Sequence, residues 1–391
     1  MYSWLRHAGS ILWKRRPIQL TFFVTRKCNA RCPFCFYLAG ADPRPAEAEA
    51  DELALEEIEA ISRSLGSLLW LAFSGGEIYL RKDLVEISRI FYRQNRPAIM
   101  LYPTNGFMPE LIREQTERIL RDCPKSVVAV KLSLDGIADE HDALRQTPGG
   151  FAKVMHTYEL LAPLLERYPN FELGVNTVFC RDNQGRMDAI VDFVVGLKYI
   201  RTHTISLVRG NLADDSYKQV DLAKYERAIA RLERNLKSGT APVYRFGGAR
   251  LKAAQDIVQR RLILRTAQEQ RQVIPCHAGR LNLVLSETGE VYPCETRTAS
   301  LGNVRAYDYD LAAVMRAAEA RKVLGSIRRG ECHCTHECYF ITNILFNPRC
   351  YPALAQEYLQ LLPSRQPNAP AACAAEAAET ARAAPTARID S

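Results

Sequence analysis

Short apolar runs alternate with longer amphipathic segments from residue 19 to about residue 237. The apolar runs are rich in β-branched and aromatic residues, and the segments between them repeat apolar residues with the period of a helix. The predicted strands lie near 19–25, 68–74, 98–102, 127–134, 171–178 and 202–208. The predicted helices lie near 51–65, 83–94, 109–121, 150–166, 186–198 and 222–237. This order predicts an α/β fold whose parallel sheet curls, through right-handed crossovers, into a partial (β/α)6 TIM-like barrel over residues 19–237.

Further segments flank this repeat. Residues 1–18 contain a predicted amphipathic helix that packs against the barrel or, alternatively, makes peripheral contact with an anionic membrane surface. Residues 238–275 form a helical bridge, with an exposed helix rich in Arg, Lys and Gln over 248–268. Residues 276–352 form a second, smaller domain that holds six of the twelve cysteines. The Ala- and Pro-rich residues 363–391 have little apolar bulk, and this composition predicts disorder.

Composition excludes several classes of protein. Apolar residues at 47% and charged residues at 25% are ordinary for a soluble globular protein. No apolar run approaches the ~20 residues that cross a bilayer, and Arg6, His7 and Lys14 interrupt the apolar stretch that a signal peptide needs. The cytoplasm is therefore expected, and cysteines there indicate metal sites or thiols rather than disulfides. The net charge of +8 is mild, and no basic stripe with interleaved aromatics predicts a nucleic-acid partner.

Three cysteines, Cys28, Cys32 and Cys35, follow the first predicted strand with the spacing C-x3-C-x2-C. They lie in a loop at the carboxyl end of that strand, where ligands gather in such folds. Three thiolates can hold three corners of a [4Fe–4S] cube and leave one iron without a protein ligand, which suits chemistry rather than structure. The alternatives are structural zinc with a distant fourth ligand, or simply buried thiols.

This spacing, with Phe34 directly before the third cysteine, resembles the signature of the radical S-adenosylmethionine (radical SAM) superfamily. The resemblance implies that the open iron binds the amino and carboxylate groups of SAM. It implies that an electron from the cluster cleaves SAM to a 5′-deoxyadenosyl radical, which takes a hydrogen atom from the substrate. An external electron donor of the flavodoxin or ferredoxin type is also implied.

Motifs after the next two strands resemble SAM-binding elements of the same family. Gly75-Gly76-Glu77 is similar to the family's GGE motif, which binds the SAM amino group, although Ile78 stands where the family usually has Pro. Thr104-Asn105-Gly106 is similar to the family's TNG turn. On this resemblance, Gly75, Gly76, Glu77, Thr104 and Asn105 are expected to bind the cofactor.

The later strands end in further polar residues that resemble family elements. Ser133 and Asp135 begin a run that reaches Arg145, and the resemblance assigns Ser133 and Arg145 to the ribose or carboxylate of SAM. Arginine suits bidentate carboxylate binding. The alternative is that Asp135 makes a turn and Arg145 a surface ion pair. Asn176 at the end of the fifth strand is expected to face SAM, and Arg209 after the sixth to bind the adenosine or the substrate.

A second cysteine group resembles the SPASM/twitch domain of many radical SAM enzymes. A predicted hairpin brings Cys276 and Cys294 together, and Cys332, Cys334 and Cys338 follow. The group has fewer cysteines than the full SPASM pattern, so one auxiliary [4Fe–4S] cluster is expected. Its expected ligands are Cys276, Cys294, Cys334 and Cys338, with Cys332 as the rival for the third position. Zinc held by four thiolates, or by three and an imidazole, is the alternative.

The resemblance covers roughly residues 17–350 and implies an oxidoreductase that oxidises or cross-links a ribosomally made peptide. A small-molecule, sugar or lipid-linked substrate is the alternative, which the amphipathic N-terminal segment favours. Because the barrel begins at about residue 19, we expect no room for a fused domain that binds a leader peptide. The leader of a peptide substrate is then expected to bind a separate partner protein, or to need no partner at all. A non-enzymatic metal scaffold fails to explain Gly75-Gly76-Glu77 and the run around Arg145.

Overall fold

The computed structural model describes residues 1–14, 16–38, 51–296 and 299–361. The strands are β1 (Gln19–Phe23), β2 (Trp70–Ser74), β3 (Ile99–Thr104), β4 (Val127–Ser133), β5 (Phe171–Phe179), β6 (Thr202–Leu207), β7 (Asn282–Leu285), β8 (Glu290–Tyr292) and β9 (Gly302–Asn303). Each of the six predicted barrel strands is present. The tail for which disorder is predicted lies outside the described residues.

The first nine helices lie in the gaps between these strands, and the others follow β9. They are α1 (Leu55–Ser64), α2 (Leu84–Asn95), α3 (Pro109–Asp122), α4 (Asp139–Arg145), α5 (Gly150–Leu161), α6 (Leu164–Arg167), α7 (Met187–Gly196), α8 (Leu222–Ser238), α9 (Ala249–Glu269), α10 (Leu311–Arg316), α11 (Ala318–Arg328), α12 (Glu337–Leu345) and α13 (Tyr351–Gln360). Short 3₁₀ helices cover Trp4–Ile11, Ile78–Leu80, Asp215–Lys218, Val304–Tyr307 and Pro348–Cys350.

All strands belong to one sheet in the order β6-β5-β4-β3-β2-β1-β7-β8-β9. The first six strands are parallel, and β7 continues the sheet because Gln19 pairs with Asn282 as well as with Trp70. The α/β prediction is confirmed, and the cysteine-rich region is joined to the barrel through this shared sheet. Since parallel strands end at one edge, the loops after β1 to β6 meet on one side of the molecule.

The barrel strands are apolar because both of their faces are covered. Every residue of β1 is buried, and so are Leu71 in β2 and Val130 in β4. Near-continuous apolar runs of this kind are typical of parallel sheets. One face of the sheet packs against the outer helices, and the other lines a lumen that also contains polar residues.

Helix α9 was expected to be exposed, and this prediction is wrong. Eleven of its residues are buried, and the helix closes the open side of the barrel. Three of its charged residues, Lys252, Asp256 and Arg260, line the lumen, although other charged residues of the helix are exposed. Lys252 pairs with Asp256, and Arg260 donates to the carbonyl of His203 at 3.2 Å. The many Arg, Lys and Gln residues predict a helix exposed to solvent. A polar pattern in the sequence does not distinguish side chains that face a polar lumen from side chains that face solvent.

The N-terminal segment is shorter and less covered than its pattern predicts. A 3₁₀ helix over Trp4–Ile11 replaces the predicted longer helix, and His7 is its one buried residue. In the part of the chain that the structure describes, no helix combines the length and hydropathy of a membrane span.

Candidate active site

The loop after β1 gathers the three predicted thiols. The backbone N–H of Cys35 donates to the carbonyl of Cys32 at 3.1 Å. The N–H of Ala30 points at Cys28 Sγ (3.4 Å), and that of Leu38 at Cys35 Sγ (3.5 Å). Each of the three cysteines is free of disulfides. Burial, with the negative charge of neighbouring groups, raises the pKa of Cys28 to about 12.

This donor set fits a cluster that needs three protein ligands. The thiols come from one loop, they are half-buried, and soft thiolates are the ligands that iron–sulfur clusters use. Bound iron would favour the thiolate form that burial disfavours. The N–H groups aimed at Cys28 and Cys35 would stabilise that form.

The glycine pair after β2 lets the backbone approach the cysteine loop closely. The N–H of Gly76 donates to the carbonyl of Thr25 at 2.8 Å, and that of Glu77 to the carbonyl of Lys27 at 2.7 Å. A Cβ on Gly76 would lie 2.0 Å from the Lys27 oxygen, and Gly75 has φ of +135°. No other residue type fits this approach without moving the backbone.

Replacing Gly76 with Ala is expected to destabilise the protein by about 1–3 kcal/mol, because the new methyl group overlaps backbone that cannot rotate away. Denaturant unfolding of the anaerobic holoprotein measures the loss. The matched control is Gly66→Ala, whose Cβ meets nothing within 4 Å. Equal stability of the two variants would contradict the close approach.

The carboxylate of Glu77 joins β2 to β3. It is buried and accepts hydrogen bonds from Thr104 Oγ1 (2.8 Å), the Asn105 N–H (2.7 Å) and the Tyr79 N–H (3.3 Å). Burial raises its pKa to about 7. A carboxylate has about four acceptor sites, so about one remains for a ligand. Asn105 in turn donates to Asn29 at 2.7 Å, with its Nδ2 4.0 Å from Cys28 Sγ.

Asp135 and Arg145 form a buried ion pair, not a surface pair. The Arg145 guanidinium contacts Asp135 Oδ2 at 2.7 Å, and Asp135 Oδ1 accepts the N–H of Val178 at 2.7 Å. The guanidinium carbon lies 5.8 Å from the centre of the Phe34 ring. The pair therefore links β4, β5 and the cysteine loop.

Asn176 and Arg209 lie where the barrel faces the cysteine-rich region. Asn176 pairs in register with Ser133 and accepts from Ser206 Oγ at 3.2 Å. Arg209 pairs with Glu337 at 3.0 Å, and its guanidinium carbon lies 5.9 Å from the centre of the Phe36 ring. Sequence reasoning missed Glu337, whose one signal was its place beside a cysteine in the second group.

A cavity of about 250 Å³ occupies the lumen between these elements. Asn176, Ser206 and Arg209 line it on the barrel side, and Glu337 and Cys338 line it on the side of α12. Arg209 Nε and Glu337 Oε1 are buried there without a hydrogen-bond partner. The lumen therefore offers a donor and an acceptor side by side.

The structure groups the second set of cysteines differently from the prediction. Cys276, Cys294, Cys332 and Cys334 line one cavity of about 130 Å³. Cys338 lines the lumen instead. It lies in the first turn of α12, whose N-cap His336 accepts the N–H of Cys338 at 3.1 Å. Within residues 1–14, 16–38, 51–296 and 299–361, no three His, Cys, Asp or Glu side chains are close enough to hold a single metal ion.

Two other chemically reactive side chains lie near the barrel strands. His203 contacts Thr177 Oγ1 at 2.9 Å, and burial lowers its pKa to about 3. Cys180 is buried beside Phe34 and Leu144. Asn183, which the sequence gave no reason to select, donates to the carbonyls of Asp135 (2.9 Å) and Val178 (2.8 Å).

Comparison with known proteins places this site in a family. Residues 22–193 match the family model described as "Radical SAM superfamily", which covers the cysteine loop and the ends of β1 to β5. Residues 22–193 form a radical SAM domain. As a radical SAM enzyme the protein uses a [4Fe–4S] cluster and SAM, and both predictions are confirmed.

Named relatives of this radical SAM enzyme differ in what they act on. An AdoMet-dependent heme synthase of Nitratidesulfovibrio vulgaris is 27% identical over 72% of this chain and 74% of its own. A PqqA peptide cyclase of Rhodopseudomonas palustris is 25% identical over 74% of this chain and 73% of its own. The structure of Streptococcus suis SuiB bound to S-adenosylmethionine shares the fold, with a TM-score of 0.56 and 17% identity over 82% of this chain and 71% of that one.

Proposed function

We propose that this radical SAM enzyme oxidises or cross-links a ribosomally made peptide. The observation that carries the proposal is the Arg209–Glu337 pair, whose spare donor and acceptor are buried in the lumen. A peptide group carries one N–H and one C=O, so it complements both spare atoms. The similarity to a PqqA peptide cyclase supports the same substrate class.

The residues of the cysteine loop have a defined task in this proposal. Cys28, Cys32 and Cys35 hold the cluster, which when bound supplies the electron that cleaves SAM to the 5′-deoxyadenosyl radical. Glu77 keeps one acceptor site toward the SAM amino group. Ser133 and Asn176 lie at neighbouring positions near the ends of β4 and β5. Arg145, held by Asp135 and lying over the Phe34 ring, would position the loop as well as contact SAM.

We further propose that Cys276, Cys294, Cys332 and Cys334 hold one auxiliary [4Fe–4S] cluster, because these four thiols share a cavity. Cys338 then faces the substrate. A variant with Ala at Cys28, Cys32 and Cys35 is expected to keep about four irons per chain. Adding Cys332→Ala should lower that number, and adding Cys338→Ala should not. The reverse result in iron analysis would restore Cys338 as a ligand, and bound zinc without iron would contradict the cluster.

A small-molecule substrate is the second candidate, favoured by the similarity to a heme synthase. The lumen of about 250 Å³ suits a segment of peptide better than a whole macrocycle. A flavodoxin- or ferredoxin-type protein is the proposed electron donor in either case. A separate partner protein that binds the leader segment is proposed only for a peptide substrate.

Co-expression with short peptides encoded beside this gene tests the substrate class. A modified peptide that has lost two hydrogen atoms, found by mass spectrometry, supports the proposal. Arg209→Gln is expected to reduce modification about tenfold or more, since a hydrogen bond involving a charged group is lost. In the same variant, 5′-deoxyadenosine formed without peptide should persist. Activity on a tetrapyrrole but on no peptide would establish the second candidate.

A further inference from the structure

A cavity of about 680 Å³ lies at the opposite end of the barrel from the cysteine loop. Its walls are the 3₁₀ helix Trp4–Ile11, the starts of β2, β3 and β4, and parts of α9, α12 and α13. Its lining is mostly apolar and includes Leu69, Ile341, Leu345, Phe346 and Leu354. Its volume is within the range of about 300–1,000 Å³ that is typical of small-molecule sites.

The mouth of this cavity carries an exposed apolar patch. Nine large hydrophobic residues are exposed in the described parts of the chain, and seven of them lie in the N-terminal segment or α13. These seven are Met1, Trp4, Leu5, Leu12, Trp13, Tyr358 and Leu359. Met1, Trp4, Leu5 and Tyr358 also line the cavity. A concentration of exposed apolar residues at one place marks a site of ligand or membrane contact.

A cation lies beside this mouth. The Arg250 guanidinium stands 4.5 Å from the centre of the Tyr358 ring, and its Nη2 donates to the carbonyl of Leu359 at 3.4 Å. Its Nε is buried without a hydrogen-bond partner. Arginine matches carboxylate and phosphate groups in charge and geometry. The cavity thus combines an apolar interior with a cation at one edge.

We propose that this cavity binds the acyl chain of an anionic amphiphile, with the head group at Arg250. A concave pocket of this volume suits a chain better than a second protein copy, since stable subunit interfaces bury about 1,000 Å² or more of surface. Six residues, among them Trp70 and Lys252, line both this cavity and the lumen, so the chain lies one layer from the substrate cavity. The site is independent of the proposed peptide substrate.

Fluorescence titration of the reconstituted full chain with cis-parinaric acid, an 18-carbon fatty acid, tests the site. Saturable binding at one site per chain is expected, with displacement by palmitate. Ala355→Trp fills the cavity, since Ala355 lines it and is exposed at its edge, and should weaken binding at least tenfold. Ala353→Trp, on the same helix but outside the lining, should leave binding unchanged. Circular dichroism and iron content verify that both variants fold.

Arg250→Gln tests the head group. Competition by palmitate is expected to weaken about tenfold, since a hydrogen bond involving a charged group is lost, while competition by hexadecanol stays the same. Sedimentation with phosphatidylglycerol vesicles then distinguishes a bilayer lipid from a free fatty acid as the source, and either source supports the site. No saturable binding, equal effects of the two Trp variants, or dissociation of a dimer by Ala355→Trp would overturn the proposal.

Discussion

Replacing Cys32 with Ala is expected to reduce 5′-deoxyadenosine formation to the background of the assay. Enzymes typically accelerate reactions by about 10⁶-fold or more. A cluster that has lost one of its three protein ligands would lose most of this rate acceleration. We therefore expect the rate of 5′-deoxyadenosine formation to fall by roughly 10³-fold or more. The same result is expected for Cys28 and Cys35. Anaerobic turnover with dithionite and SAM, quantified by liquid chromatography, measures it.

The matched control is Cys123→Ala. Cys123 is a buried thiol that follows α3 and belongs to the hydrophobic core, away from the cysteine loop. Its removal should leave 5′-deoxyadenosine formation within about twofold of the wild type, since the change affects packing alone. A comparable loss in both variants would show that thiols in general, and not the cysteine loop, support turnover.

Replacing Arg145 with Ala is expected to cost about 3–5 kcal/mol of unfolding free energy, because the carboxylate of Asp135 is left buried without its cation. The side chain of Asp135 is fully buried, and that of Arg145 is 8% exposed. Arg145→Lys keeps the charge but loses the fork geometry, so an intermediate cost is expected. Urea denaturation of the anaerobic holoprotein measures both.

The control for this pair is Arg231→Ala. Arg231 also contacts two carboxylates, Asp188 and Asp192, but these are 79% and 64% exposed. Exposed pairs contribute about 0–1 kcal/mol, so this variant should remain close to the wild type. If Arg145→Ala were equally mild, the pair would not be the connection between β4 and the cysteine loop that the geometry indicates.

The barrel could be predicted because each of its parts has a local signal. Strands buried on both faces are continuous apolar runs, and the helices between them repeat with the helical period. The cysteine loop and the glycine pair could be predicted for the same reason. Their residue types and spacing are read directly from the sequence, and these indicate which ligands the two loops can bind. The boundaries of β1 to β6 lie within a few residues of the prediction, and so do those of five predicted barrel helices. The helix predicted over 150–166 is divided into α5 and α6, and α4 was not predicted.

The parts that sequence reasoning missed depend on contacts distant in the chain. Nothing near Arg209 indicates that Glu337, 128 residues later, would pair with it. The lumen-facing charges of α9 look the same in sequence as solvent-facing charges. Cys332 and Cys338 line different cavities because of the direction in which the first turn of α12 points, which a cysteine pattern does not encode.

Electron paramagnetic resonance of the dithionite-reduced protein, with and without SAM, tests the incomplete coordination of the first cluster most directly. The variant with Ala at Cys28, Cys32 and Cys35 identifies which part of the wild-type spectrum belongs to that cluster. The account predicts that this part alone changes when SAM is added, because SAM binds its open iron. If the protein holds its full iron content and the spectrum does not change when SAM is added, the proposed open iron would be contradicted.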